Sequence, residues 1–419
     1  MSKSFDTLPV ELIDNIAQSL QGDDLVMLAR TQRVIHGICT PWIYRRVILL
    51  DCVCAVLCLR TLASNVQCAH SVRALAIRFD PDLMLDAFRR LIRAALRNLQ
   101  SLVTLDLRLY PEIFSLVSDI HFPRLDLCSL PFCSDIIAFL NLHPDITGLS
   151  FDPVLHSSVL GLASLPPIPL ASLQMFSGPE LVGMSTIPQS PVTRIGIFWN
   201  AGGFRQFFDA ISPRTAEIVE FQNILAIWEL ALPPLIAENL PNLTSLSLRN
   251  VSPAESSSDY DDFIECVGQA LPSLAYLETL SIAQGVGRLA FNPTHLDREF
   301  DIIILWGAAA PQLKYCILPS DTRWLRVHSD LNVWYPSNAN DDADAQTETE
   351  AHDMLERFRW FVNKVLTAGT ALPASYLTVL QIIGGKEMVA ELQAGFEMRG
   401  VVPEFELAVK PTGITITFV

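Results

Sequence analysis

Residues 240–250, LPNLTSLSLRN, contain the pattern that decides the fold prediction. Leu243, Leu246 and Leu248 follow one another at steps of three and two residues, and the last two alternate with polar residues, as in a strand with one buried face. Residues 99–109, LQSLVTLDLRL, repeat this spacing. Because the spacing recurs, it predicts a repeated structural unit and not an isolated strand.

Weaker copies of the pattern occur at steps of roughly 20 to 36 residues. Any one copy is also compatible with an ordinary amphipathic strand, but nine or ten copies in register favour an array. Proline precedes several copies and fits a turn from helix to strand, because it cannot continue a helix. The weaker copies are Phe122/Leu125/Leu127, Ile146/Leu149/Phe151, Leu170/Leu173/Met175, Val192/Ile195/Ile197, Val219/Phe221, Leu274/Leu277/Leu280/Ile282 and Leu313/Cys316/Leu318.

The stretches between copies predict the remaining elements of the array. Residues 47–50 and 72–79 are expected to be strands that flank a helix at 51–63, which Asp51 caps. Further helices are expected at 83–96, 133–142, 204–211, 232–239, 260–271 and 298–306.

Residues 240–250 resemble the leucine-rich repeat. The resemblance implies an α/β solenoid, an irregular array with a curved parallel sheet, in which the leucines enter a continuous core and Asn250 bonds backbone groups at the turn. Side chains at the outward-pointing strand positions are then the expected contacts for a target protein. They are Thr104, Asp106, Arg108, Ser245, Ser247 and Arg249.

A different pattern occupies residues 8–47, LPVELIDNIAQSLQGDDLVMLARTQRVIHGICTPWIYRRV. Its apolar residues recur at steps of three and four, which predicts a first helix that has Pro9 in its first turn and ends at Gly22. Asp23 is expected to cap a second helix. A third helix is expected at 31–39, and Thr40-Pro41 is expected to start a new one.

The string Leu8-Pro9-x-Glu11-Leu12-Ile13-x-x-Ile16, followed by Asp24-Leu25-x-x-Leu28-Ala29, resembles the F-box, including its fungal variants. Family members often carry a tryptophan in the third helix, where this chain has Ile35 and His36. The resemblance implies that the helices bind the small adaptor subunit of a cullin-based ubiquitin ligase. The residues expected to bind it are Leu8, Pro9, Leu12, Ile13, Ile16, Leu20, Leu25 and Leu28.

A unit of about forty residues hides too little surface to be stable unaided, so another surface should cover these apolar side chains. The alternative to a partner protein is a helical hairpin that packs on its own chain and only caps the array. These interpretations divide the chain into an F-box-like helical domain at 5–46 and a leucine-rich-repeat-like solenoid at 47–336. An acidic disordered insertion at 337–353 and a C-terminal repeat or capping region at 354–419 follow.

Within the C-terminal region, the pattern predicts a helix at 354–366, a strand at 376–383, a helix at 386–399 and a terminal strand at 413–419. Residues 252–262, rich in serine and aspartate, are expected to form a surface loop.

The charge and cysteine content restrict the class of protein. The chain has 29 Lys and Arg against 45 Asp and Glu, a net charge of −16, which disfavours binding to nucleic acid. Its N-terminus lacks the apolar core of a secretory signal, and an apolar run of about thirteen residues at 47–59 is shorter than the roughly twenty of a membrane span. We therefore expect no membrane association and a cytoplasmic or nuclear protein.

Nine cysteines, an odd number, fit reduced thiols and not a disulfide framework. Cys52, Cys54, Cys58 and Cys68 with His70 lack the paired spacing of zinc sites, and they are expected to be small buried hydrophobic residues.

No catalytic motif is evident, so we expect a protein without enzyme activity or cofactor. The expected function is that of a substrate-recognition adaptor of the ligase, with an unknown target protein on the repeat sheet. The alternative is a scaffold that has no part in a ligase, and a hydrolase with an unrecognised site comes third. The tryptophans Trp199, Trp228, Trp324 and Trp334 fit either an aromatic binding patch or, more commonly, the core.

Overall fold

The computed structural model describes residues 8–79, 85–108, 114–152, 165–199, 203–251, 257–285, 293–328, 331–337, 348–368, 372–384, 389–390, 392–394, 405–410 and 413–418. The chain forms two compact units, Met1–Phe198 and Trp199–Val419. Each unit consists of short strands and helices that follow one another along the chain.

The helices of the first unit are α1 (Val10–Ser19), α2 (Gly22–Ala29), α3 (Arg33–Ile43), α4 (Cys52–Ser64), α5 (Val66–Ser71), α6 (Asp86–Arg97), α7 (Ile136–Leu142) and α8 (Glu180–Thr186). Its strands are β1 (Arg46–Leu49), β2 (Ala74–Ile77), β3 (Thr104–Leu107), β4 (Leu127–Leu130), β5 (Gly148–Phe151), β6 (Met175–Pro179) and β7 (Arg194–Phe198).

Strands β1 to β7 pair in chain order, and every pairing between neighbours is parallel. Their register places one buried side chain of each strand beside a buried side chain of the next. The resulting row consists of Val47, Leu75, Leu105, Cys128, Leu149, Phe176 and Ile195. This row is the core predicted for a parallel repeat array.

The second unit contains helices α9 (Phe204–Ile211), α10 (Leu232–Asn239), α11 (Ser257–Ala270), α12 (Pro293–Ala309), α13 (Glu348–Ala368) and α14 (Ser375–Gly384). Its strands are β8 (Glu220–Leu225), β9 (Ser245–Asn250), β10 (Thr279–Gln284), β11 (Tyr315–Ile317), β12 (Arg323–His328), β13 (Leu331–Ser337), β14 (Phe405–Lys410) and β15 (Gly413–Phe418).

Strands β8 to β11 are parallel and form a second buried row, Phe221, Leu246, Leu280 and Cys316. The chain then reverses, because β12 and β13 each run antiparallel to the preceding strand. The predicted repeat copies therefore coincide with strands of an α/β solenoid-like fold, and the helices predicted at 204–211 and 232–239 have the predicted bounds.

A buried carboxylate stabilises the point of reversal. Glu299 on α12 accepts hydrogen bonds from the backbone N–H of Ser320 at 2.9 Å and from its hydroxyl at 2.6 Å. It also accepts one from Trp324 Nε1 at 3.1 Å. Burial raises the pKa of Glu299 above its usual value, although these hydrogen bonds lower it. The carboxylate thus joins α12 to the turn between β11 and β12.

The helical boundaries of the N-terminal head, defined here as helices α1 to α3, differ from the prediction. Helix α1 ends at Ser19 because Leu20 and Gln21 are extended, so Gly22 begins α2 and does not end α1. Helix α3 continues through Pro41. Thr40 does not cap a new helix there, since its hydroxyl donates to the carbonyl of His36 at 2.6 Å.

The C-terminal region also differs from the prediction. The strand predicted at 376–383 was wrong, because these residues form α14, in which Tyr376, Val379 and Leu380 are buried at helical spacing. Helix α13 begins at Glu348, inside the range 337–353 predicted to be disordered, and Ser337 ends β13. Residues 338–347 and much of the helix predicted at 386–399 lie outside the described residues.

The predicted terminal strand is present as β15, but it pairs with β14 in a separate antiparallel hairpin. Sequence reasoning did not detect β14. The surface loop expected at 252–262 is only partly described, and helix α11 already begins at Ser257. Helices α13 and α14 pack against β13.

A buried histidine joins two neighbouring repeats in the first unit. His143 Nε2 accepts a hydrogen bond from the backbone N–H of Phe122 at 2.9 Å. Its Nδ1 lies 2.8 Å from the carbonyl oxygen of Phe139, which can only accept, so Nδ1 carries the proton and the ring is neutral. Burial lowers the pKa of His143 below its usual value, and the nearby His121 lowers it further, against the effect of the Phe139 carbonyl.

We predict that this histidine makes the protein less stable in mild acid. Because its folded pKa is lowered, its contribution is present above the unfolded pKa of about 6.5 and is lost as the pH falls below that value. His143→Gln can accept and donate the same two hydrogen bonds without titrating, so its unfolding should depend less on pH. Urea unfolding at pH 7.5 and 5.5 tests this, with His70→Gln, a change at an exposed histidine of α5, as the control that should retain the wild-type pH dependence.

We also predict that the buried leucine rows carry the stability of the array. Leu246→Ala truncates the side chain that β9 contributes to the second row, which is 2% exposed, and it should lower the free energy of unfolding by about 3 kcal/mol. Leu305→Ala is the matched control in the same unit, since Leu305 on α12 is 69% exposed. Its effect should stay below about 0.5 kcal/mol in urea titration. Similar losses for the two variants would contradict the prediction.

Candidate protein-interaction surfaces

The head has a small core of its own. Ile13 and Ala17 of α1 pack with buried residues of α2 and α3, and further apolar side chains cover this cluster in part. Two residues expected to bind the adaptor, Ile13 and Leu25, are therefore buried inside the head, and Leu20 and Leu28 are half-buried against its core. The other buried members of the core are Ala29, Ile35 and Cys39.

Leu8, Leu12 and Ile16 lie outside this core, four residues apart along α1 and the residues just before it. We call these three residues the α1 stripe. Leu12 is 49% exposed and Ile16 39% exposed, and Leu8 and Pro9 are also exposed. Exposed apolar side chains in a row of this kind are typical of a surface that binds another protein. Half of the predicted adaptor contacts are thus available to a partner.

Sequence reasoning missed three further exposed apolar residues of the head, Val10 on α1, Met27 on α2 and Val34 on α3. A signal was present in the sequence, because Val26, Met27 and Leu28 are three consecutive apolar residues. Consecutive residues of a helix cannot all lie on one face.

A tryptophan joins α3 to α1. Trp42 Nε1 donates to Asp14 Oδ1 at 2.7 Å, and the guanidinium carbon of Arg45 lies 4.9 Å from the centroid of the Trp42 ring. The third helix does carry a tryptophan, because α3 continues through Pro41 to Ile43. This contact sets the position of α1 against α3 and the direction in which the chain leaves the head.

Asp106, expected to be an outward target contact, is instead almost buried. Its Oδ2 lies 2.7 Å from both Nε and Nη2 of Arg78, and its Oδ1 lies 3.5 Å from Nε of Arg108. Arg108 is also 3.8 Å from Asp152 Oδ2. Asp106 therefore serves to bridge neighbouring repeats, which leaves Arg108 exposed and Thr104 half-buried on β3.

The second unit places Ser245, Ser247 and Arg249 along β9. Both serines are half-buried and Arg249 is exposed. Ser247 pairs in register with Gln222 of β8 and Ser281 of β10, so polar side chains continue across three strands. Such a surface can offer hydrogen bonds to a bound protein. The structure brings the three residues onto one strand without assigning them a ligand.

The burial of the tryptophan and cysteine side chains was predicted only in part. Trp199, Trp228, Trp324 and Trp334 are all buried, so the more common interpretation, the core, is confirmed for them. The expectation of buried cysteines holds for Cys68 but was wrong for Cys52 and Cys54, which are exposed on α4, and Cys58 is half-buried.

Hydrogen bonding to Asp51 raises the pKa of the Cys54 thiol. Within the described ranges, no group of three or more His, Cys, Asp or Glu side chains is placed to hold a metal ion. Nor does that part of the chain contain a helix with the length and apolar character needed to cross a membrane.

Comparison with known proteins does not add an assignment. No family model matches the chain, and no curated protein matches its sequence.

We predict that adjacent residues of α1 have opposite roles. Ile13→Ala should weaken the head by about 3 kcal/mol, because it leaves a cavity in the head core, whereas Leu12→Ala should cost less than about 1 kcal/mol. Hydrogen exchange of peptides from α1 to α3 measures this directly. Exchange in the first variant should rise roughly 100-fold, and in the second less than about 5-fold. Equal acceleration in both would show that the stripe is part of the core.

Proposed function

We propose that this protein is a substrate-recognition adaptor of a cullin-based ubiquitin ligase, in which the head binds the small adaptor subunit and the repeat sheet binds a target protein. The observation that carries the proposal is the exposed α1 stripe on a head that already has its own core. Because the head does not need Leu12 or Ile16 for its own packing, a partner protein is the simplest reason for these side chains to be apolar.

The arrangement of the chain suits this division of roles. Strand β1 begins at Arg46, three residues after the end of α3 at Ile43, so little chain separates the head from the array. Helix α3 also packs on α5 of the array. A short connection between two binding surfaces limits the positions that a captured protein can take relative to the ligase. Ubiquitin transfer would need no catalytic residue from this chain.

The alternative is a scaffold outside any ligase whose head only caps the array. The packing of α3 on α5 is also compatible with capping. A head that only caps, however, should bury its apolar stripe against residues from 72 onward. The exposure of Leu12 and Ile16, and the burial of Ile13 within the head itself, favour the adaptor function.

Binding of the purified adaptor subunit tests the proposal. The full chain should bind it, and the double variants Leu8→Ala/Pro9→Ala and Leu12→Ala/Ile16→Ala should each bind at least about 10-fold more weakly, a loss of about 1.4 kcal/mol. Val53→Ala/Leu57→Ala is the matched control, because these residues are also exposed, apolar and four apart, but on α4. Its affinity should equal that of the wild type.

Two results would argue against the adaptor function. The first is a folded wild-type chain that does not bind the adaptor subunit. The second is binding that is lost equally in the control and stripe variants.

A further inference from the structure

A second surface of the first unit has a different character. A groove with a volume of about 1070 Å³ separates the connection between α1 and α2 from the starts of β1, β2 and β3. Its floor includes Trp42 and Ile43, and its strand side includes Arg45, Arg46 and Arg73. The α1 stripe does not line this groove.

Backbone hydrogen bonds bring the three arginines to one end of the sheet. The carbonyl of Arg45 accepts from the N–H groups of Arg73 at 2.9 Å and Ala74 at 3.0 Å. The carbonyl of Arg73 in turn accepts from the N–H of Thr104 at 2.9 Å. Arg46 pairs in register with Ala74, so its neighbour on the next strand is the residue that follows Arg73. The backbone bonds that build the sheet therefore place all three arginines at the starts of β1 and β2, where each of them lines the groove.

Two of the arginines are already held in place. Arg45 lies over the ring of Trp42, which Asp14 orients through its hydrogen bond to Nε1. Arg73 Nη1 donates to the carbonyls of His70 at 2.8 Å and Ser101 at 3.3 Å. Because a guanidinium has five N–H donors, these contacts orient Arg73 without using all of them. Preorganised arginines lose less conformational entropy when they bind an anion.

The local charge of the groove is opposite to that of the whole chain. Three arginines and one acid, Asp23, are the charged residues on its described lining, while the net charge of the chain is −16. At physiological ionic strength, charges are screened over about 8 Å, so the local arginines determine which ligands bind here. An anionic ligand with apolar neighbours fits both the arginines and the Trp42 and Ile43 floor.

We propose that this groove binds an extended acidic peptide segment of another protein. Three strands about 4.8 Å apart span about 10 Å, the length of roughly three extended residues. Carboxylate or phosphate groups of the segment contact Arg46, Arg45 and Arg73, and an adjacent apolar side chain packs on Trp42. This binding goes beyond the proposed adaptor function, because it does not use the α1 stripe and does not require the ligase.

Fluorescence anisotropy with the full chain tests the proposal. The probe is a labelled twelve-residue peptide with three consecutive glutamates flanked by leucines. Matched peptides replace the glutamates by glutamine or by phosphoserine, which separates neutral, carboxylate and phosphate ligands. The glutamate and phosphoserine peptides should bind, the glutamine peptide should bind at least 10-fold more weakly, and salt should weaken binding of the charged peptides.

Three variants locate the site. Arg46→Glu should reduce affinity for the charged peptides at least 10-fold, and Arg46→Lys should retain most of it. Arg60→Glu, an equal change of charge at an exposed position of α4, should change affinity less than 2-fold. A thermal melt of each variant separates loss of binding from loss of folding. If Arg46→Glu does not fold, Arg46→Lys still tests the site, because salt-sensitive binding must persist in the lysine variant.

The proposal is wrong if the glutamine peptide binds as tightly as the glutamate peptide, or if neither charged peptide binds. It is equally wrong if Arg46→Glu and Arg60→Glu behave alike. Competition by single-stranded DNA as effective as that by the glutamate peptide would indicate a general polyanion site and would also overturn it. Adaptor binding, measured separately, is expected to be unaffected by Arg46→Glu.

Discussion

The structure depends on the registration of apolar side chains between successive parallel strands. A strand of four residues, such as β2 or β3, buries two or three apolar side chains in the array and cannot bury them alone. Leu75 is buried because Leu105 lies beside it on the next strand, and the same relation continues strand by strand through the first unit. Each repeat is thus stable only as a neighbour of other repeats, which is the energetic condition of a solenoid.

This dependence explains which parts of the fold were predictable from sequence. The spacing of Leu246 and Leu248 predicts β9, because burial of every second residue is compatible with few structures other than a strand. Residues 376–383 contain Tyr, Val and Ile, which favour strands, but they form a helix because Tyr376 and Leu380 are buried at helical spacing. Tertiary packing therefore outweighed strand propensity at these residues, which lie outside the repeated part of the chain.

The interaction surfaces were predictable to a similar extent. Sequence pattern identified α1 as amphipathic, but it could not distinguish Leu12 from Ile13, because only the packing of α2 and α3 determines which side is covered. Likewise, Asp106 appeared free for a target because its partner Arg78 lies 28 residues earlier in the chain. The grouping of Arg45 and Arg46 with Arg73 could not be predicted for the same reason, since these residues become neighbours only when β1 pairs with β2.

The reversal of direction at β12 has a consequence for self-association. An exposed strand edge is a template for pairing with another chain, and a parallel array could in principle extend by stacking copies end to end. The last strand in the order of the second unit, β13, contains Pro336, which has no N–H to offer an incoming strand. Helices α13 and α14 also pack on β13, so this end of the sheet discourages filament growth. Additional repeats gained by duplication would therefore have to be inserted before β11.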